Sequence, residues 1–170
     1  MSSSPKTVRM LVLDVDGVLT DGSINLDDEG REFKRFDVRD GWAIRAWMSL
    51  GHEVALLTGR GGGAVRARAK ELGITRVVEG SRDKGEDLER LAAEAGVPLG
   101  EVAHMGDDLP DLPALRRAGY AMTVADAAAE VLEVCDFITE RPGGHAAVRE
   151  AITHLLKERG EYAGIVARYD

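Results

Sequence analysis

The sequence predicts an α/β fold: a Rossmann-like parallel sheet with helices on both faces and a small β-hairpin inserted near its start. Three observations carry that reading. Short apolar runs alternate with amphipathic stretches along the whole chain, the pattern of repeated strand–helix units. The strand-like runs are apolar throughout, as in strands covered on both faces. Two of them end in acids, "LVLDVDG" and "VAHMGDD", and open parallel sheets gather ligands beyond the carboxyl ends of their strands.

Each element follows in order. Residues 1–7 read as a frayed tail, and "VRMLVLDVD" as a central strand. In "GSINLDDEGREFKRFDV", the cluster Asp27, Asp28, Glu29 and Gly30 separates possible strands at 23–26 and 32–36. That is a hairpin insertion spanning about residues 20–37. Trp42, Ala43, Ala46, Trp47 and Leu50 recur at helical spacing, with Gly51 as a stop. "HEVALLTGR" is the next strand, "GGAVRARAKELG" a helix closed by Gly73, and "ITRVVEG" a short strand. "RDKGEDLERLAAEAG" places Leu88, Leu91 and Ala92 on one helical face. Strand "EVAHMGDD", short helix "LPDLPALRRAG", strand "YAMTV", helix "AAAEVLEV" and strand "DFIT" lead to a last helix in "GGHAAVREAITHLLKERG". The state of the tail "EYAGIVARYD" is left open. With no repeat or linker, residues 1–170 read as a single domain with a hairpin insertion.

The bulk numbers narrow the function. At 170 residues, 44% hydrophobic and 31% charged, the chain can bury one ordinary core. A net charge of −8 argues against nucleic acid as the main partner. One cysteine, Cys135, allows neither a disulfide framework nor a cysteine zinc site within the chain. "MSSSPKTVRM" lacks the apolar core of a signal peptide, and no run approaches a membrane span, so a cytoplasmic protein with no membrane partner is expected.

The polar residues at the strand ends complement one another. Asp14 and Asp16 follow the first strand, Thr58 the second, Lys84 opens the helix after the third, and Asp107 and Asp108 follow the fourth. Singly, each has an ordinary reading as turn former, cap or solvated charge. Together they gather at one edge. Carboxylates held close repel unless a cation joins them, and oxygen ligands favour a hard ion such as Mg²⁺ that pairs with phosphate. Lysine and threonine supply donors for phosphoryl oxygens. Gly17 and Gly59 allow backbone N–H groups to approach closely. The set suits phosphoryl transfer.

"DVDGVLTDG", "TGR", Lys84 and "GDDLPD" resemble, in order, the four motifs of the haloacid dehalogenase-like phosphohydrolases. More narrowly, "DVDGVLTDG", "FDVRDG", "GDDLPDLP", "VADA" and "RPGGHAAVRE" are similar to the phosphatases of 3-deoxy-D-manno-octulosonate 8-phosphate, from about residue 8 to about residue 158. The resemblance implies that Asp14 is the nucleophile and that Asp16 handles the proton. It implies that Asp14, the Asp16 backbone carbonyl and Asp107 hold Mg²⁺, and that Thr58 and Lys84 bind the phosphoryl group, flanked by Gly17 and Gly59. Asp108 and Asp111 read as support behind the site, or Asp111 as a helix cap. Arg60 is a candidate contact for a substrate carboxylate or a solvated helix start. Arg39 and Arg141 are further candidate substrate contacts. Asp40 reads as a cap for its own helix, and Arg141, Gly143 and Gly144 as a segment that comes near a site, its own or a neighbour's, or as a plain turn into the last helix. His104 reads as a hydrogen-bonded core residue. Many relatives carry a large cap domain, for which this chain has no room, and the resemblance to short-form members implies a homotetramer in which hairpins pack together and a neighbour helps to cover each site. The pathway implied is lipopolysaccharide biosynthesis. A nine-carbon keto-deoxy sugar-acid 9-phosphate as substrate, a receiver domain and a non-catalytic tetramerising module are the alternatives.

Overall fold

The computed structural model describes residues 4–169. Six parallel strands form the main sheet in the order β5-β4-β1-β6-β7-β8. They are β1 (Met10–Leu13), β4 (Glu53–Leu57), β5 (Arg76–Val78), β6 (Val102–Met105), β7 (Tyr120–Thr123) and β8 (Phe137–Ile138). A separate antiparallel pair, β2 (Asn25–Leu26) and β3 (Glu32–Phe33), makes the hairpin. Its strands are shorter than the sequence predicts. Ile24, Leu26 and Phe33 stay exposed there, so within one chain no core surface holds the pleat further.

Strand periodicity divides the core. Leu11 and Leu13 of β1, Val54 and Leu56 of β4, and Met105 of β6 face one apolar layer. That layer is completed by α1 (Val38–Met48), α2 (Gly63–Leu72), α6 (Ala147–Glu158) and α7 (Tyr162–Val166), through Ile44, Trp47, Val65, Ile152 and Ile165. Met10, Val12, Ala55 and Leu57 face the other layer, against Leu88 and Leu91 of α3 (Lys84–Ala95) and Ala114 of α4 (Leu112–Leu115). Val131 of α5 (Ala129–Leu132) joins Leu115 and Ala121 in a smaller cluster. Burial on both faces accounts for strands that read as continuous apolar runs.

Four details correct or complete the sequence reading. The frayed tail was expected over residues 1–7. Residues 1–3 lie outside the described residues, and Pro5–Thr7 form a 3-10 turn. The tail after residue 160 contains α7, whose Ile165 is buried. Asp40 does not cap α1. Asp37 does, accepting from Arg39 N, while Asp40 crosses to α6 and accepts from Arg149 N at 2.7 Å. The helix that follows "RPGG" begins only at Ala147, after Ala146 turns with φ 68°, a left-handed conformation unusual outside glycine. No helix among the described residues is long and apolar enough to cross a membrane.

Candidate active site

The ends of β1, β4 and β6 and the start of α3 converge on one cavity of about 310 Å³, lined by Asp14, Asp16, Thr58, Gly59, Arg60, Lys84, Asp107, Asp108 and Asp111 among others. Residues far apart in sequence are thus gathered by the parallel sheet, with β1 flanked by β4 and β6. Asp14 is pinned as β1 ends, its N–H donating to Met105 O at 2.9 Å.

A buried charge network organises the floor. Lys84 Nζ lies 2.9 Å from Asp14 Oδ1 and 2.6 Å from Asp111 Oδ1. Asp111 Oδ1 also faces His104 Nε2 at 3.3 Å, and its Oδ2 accepts from the N–H groups of Asp107 at 3.1 Å and Asp108 at 3.3 Å. Burial works to raise Asp111, but His104 and Lys84 outweigh it and hold the carboxyl below its usual range. Burial likewise opposes the charge on Lys84, yet Asp14 and Asp111 raise it overall. Asp111 is therefore a fully engaged anchor, shaping the loop that carries Asp107. Asp108 caps the 3-10 turn after that loop, accepting from Leu109 N at 2.8 Å. His104 is wholly buried, with its other ring nitrogen facing Val12 O at 3.1 Å.

Asp14 and Asp107 are different. Burial first, then the charge of Asp111, pushes Asp14 up to about 6 against the pull of Lys84. Burial, then the charges of Asp14 and Asp111, pushes Asp107 up to about 8. Oxygen atoms of Asp14, Asp107 and Asp111 fall within 4.8 Å of one another. Because Asp111 has both oxygens engaged, Asp14 and Asp107 are the side chains with capacity for a cation. The repulsion between them is what a hard divalent ion would relieve.

The glycines have specific work here. A Cβ on Gly17, where φ is 90°, would collide with Asp107 Oδ2. Gly17 makes room for that carboxylate, and its own N–H is directed to Thr20 Oγ1 at 3.4 Å rather than into the cavity. A Cβ on Gly106 would collide with Asp111 Cγ, so the glycine of "GDD" admits the anchoring carboxylate. Thr58 is buried at the cavity wall, its hydroxyl accepting from Arg60 N at 3.1 Å.

The hairpin supplies a residue the sequence reading missed. The Lys34 side chain is buried and bonds Asp16 Oδ1 through its ammonium, with Glu32 Oε1 at 3.2 Å. Arg60 reaches the same pair, with Nε 3.8 Å from Asp16 Oδ2 and Nη2 3.0 Å from Glu32 Oε1. Asp16 Oδ2 is buried without a hydrogen-bond partner among the described residues. Residues 32 and 34 share one face of an extended segment, a period-two signal that points both at the site.

Arg39 and Arg141, expected near the substrate, do not line this cavity. Arg39 pairs with Asp37 at 2.7 Å, and both arginines border a second cavity beside α6. Gly143 and Gly144 do approach the loop after β1: Gly144 N donates to Val18 O at 3.0 Å, and a Cβ on Gly143 would strike Gly17 O.

Residues 73–152 match the family model for haloacid dehalogenase-like hydrolases. The 3-deoxy-D-manno-octulosonate 8-phosphate phosphatase of Escherichia coli (strain K12) is 39% identical over 156 residues, covering 92% of this chain and 83% of that protein. The chain belongs to this phosphatase family. It is a phosphoric monoester hydrolase of haloacid dehalogenase-like fold. Among solved structures, the Moraxella catarrhalis family member, in complex with magnesium, phosphate and the octulosonate, aligns with a TM-score of 0.95 at 38% identity. That alignment covers 98% of this chain and 95% of the other. The cobalt-bound Haemophilus influenzae member aligns at 0.91 with 36% identity, covering 94% and 93%.

Proposed function

We propose that this phosphatase hydrolyses 3-deoxy-D-manno-octulosonate 8-phosphate to the free sugar acid and phosphate, using Mg²⁺ and an aspartyl-phosphate formed on Asp14. The observation that carries the reading is the buried constellation at the sheet edge. Asp14 is held by Lys84 at 2.9 Å, beside an Asp107 carboxylate raised by burial and by its acidic neighbours.

Asp14 and Asp107 would hold the cation with the Asp16 backbone carbonyl, and the bound ion supplies neutralisation of the carboxylates and the phosphoryl oxygens. Asp14 attacks phosphorus, the bond to the sugar oxygen breaks, and Asp16 delivers the proton that this oxygen needs. Asp16 then takes a proton from the water that attacks the phosphoryl group and releases Asp14. Lys84 and Thr58 bind phosphoryl oxygens, Lys84 turning part of its charge from Asp14 to the phosphate. Lys34 and Arg60 hold Asp16 against the hairpin, and Arg60 is placed to meet the substrate carboxylate.

The hairpin's exposed Ile24, Leu26 and Phe33 support a homotetramer in which these apolar faces pack together. The product suits lipopolysaccharide biosynthesis in the cytoplasm. The test is kcat/KM for the eight-carbon acid phosphate, its nine-carbon relative and simple hexose phosphates, with Mg²⁺ and with chelator. The reading expects preference for the eight-carbon acid and loss of turnover on chelation. Higher kcat/KM for the nine-carbon acid would reassign the substrate.

A further inference from the structure

A second cavity, of about 520 Å³, opens beside α6 and shares no lining residue with the phosphatase site. Its size falls within the roughly 300–1,000 Å³ of small-molecule sites. Arg149, Thr153 and Lys157 recur every fourth residue on α6 and so line it from one face. Arg141 enters from the loop after β8.

The charge balance is unusual for a chain of net charge −8. Arg141, Arg149 and Lys157 have no carboxylate partner among the described residues. Arg149 is occupied only by neutral groups among the described residues: Nε donates to Thr153 Oγ1 at 3.2 Å, Nη2 to the Tyr162 hydroxyl at 3.4 Å, and the guanidinium lies 3.9 Å over the Trp42 ring. Lys157 Nζ lies 5.6 Å from the centre of the Tyr162 ring. The one carboxylate lining the groove, Glu150, is turned to the backbone, accepting from Glu140 N at 2.8 Å and Arg141 N at 3.2 Å. Phe137 and His154 stack at 4.0 Å and 7°, giving a flat wall.

Cations that line one concave site without carboxylate partners repel one another until an anion joins them. Guanidinium forks suit carboxylate and phosphate oxygens. We propose that this groove binds a small organic or inorganic anion carrying two or more carboxylate or phosphate groups, separately from the phosphatase substrate. The proposal does not rest on the phosphatase reading.

The test is calorimetric titration of pyrophosphate and of citrate into the full chain, freed of metal and at low salt. Parent protein is compared with Arg141→Gln/Lys157→Gln and with the charge-conserving Arg141→Lys/Lys157→Arg. The expected result is saturable binding of at least one probe, weakened by at least about tenfold in the neutral pair and retained in the charge-conserving pair. Absence of saturable binding, equal affinity in parent and neutral pair, or loss in both pairs would overturn the proposal. So would a smaller assembly of the neutral pair on gel filtration, which would assign the groove to contacts between copies.

Discussion

Asp40→Asn isolates a single buried carboxyl. Asp40 is 1% exposed, one oxygen accepts from Arg149 N, and Oδ2 has no hydrogen-bond partner among the described residues. Burial first, with the nearby charge of Asp37 adding, pushes it up to about 7 from an ordinary 3.8. Because the folded value lies above the unfolded one, the stability this group contributes is complete below the unfolded value and is lost as pH rises through about 7. Each unit of displacement corresponds to about 1.4 kcal/mol, so between about pH 5.5 and about pH 8.5 the parent loses about 2 kcal/mol from this site. Asparagine keeps the acceptor for Arg149 N and cannot ionise. The stability of Asp40→Asn relative to parent should therefore rise by about 2 kcal/mol across that interval, or about 4–8 °C in Tm for a chain of this size. Other titrating groups, Asp14 and Asp107 among them, are common to both proteins and cancel in the difference. Thermal melts of both at fixed protein concentration give the answer. A difference that stays constant with pH would refute the reasoning.

Three further outcomes are expected. Ala146→Gly should stabilise the chain by about 0.5–1 kcal/mol, because glycine relieves the φ of 68° ahead of α6; a lower melting temperature would count against it. Gly17→Ala should cut kcat/KM in a phosphate-release assay by about a hundredfold or more, since the new methyl takes the space of the Asp107 carboxylate; parent-like turnover would show that Asp107 is free to move. Lys34→Gln should lower kcat by about tenfold or more and change the acid or base limb of the rate profile, with partial rescue by Lys34→Arg, whereas a merely structural lysine would leave that profile unmoved.

Much of the sheet and of the site floor was legible because the fold places chemistry where sequence patterns are simplest. Apolar runs marked β1, β4 and β6, and acids, threonine and lysine at or just beyond strand ends marked one edge. What escaped depends on packing between distant segments. Lys34 sits between Phe33 and Arg35 in a run read as a hairpin strand, and only the fold of the hairpin against the segment after β1 brings it to Asp16. Asp40 lies in the first turn of α1, so a cap on its own helix was the local reading. Asp37 already fills that role, and the packing of α1 on α6 brings Asp40 to Arg149 N. Gly17 was read as opening the backbone to phosphate, a local inference. The carboxylate it accommodates belongs to Asp107, brought there by the pairing of β1 with β6. Arg39 and Arg141 carried the right charge for a sugar acid, but only the packing around α6 decides that they line a cavity other than the one at the strand ends.

The claim that Asp14 attacks phosphorus is tested most directly by acid-quenching the enzyme during turnover of 3-deoxy-D-manno-octulosonate 8-phosphate with Mg²⁺ and mapping the phosphorylated peptide by mass spectrometry. The account predicts a phosphoryl group on Asp14, absent from chelator-treated protein and from Asp14→Asn, which should also release no phosphate. Phosphate release at the parent rate by Asp14→Asn, or a phosphoryl group on another residue, would contradict it.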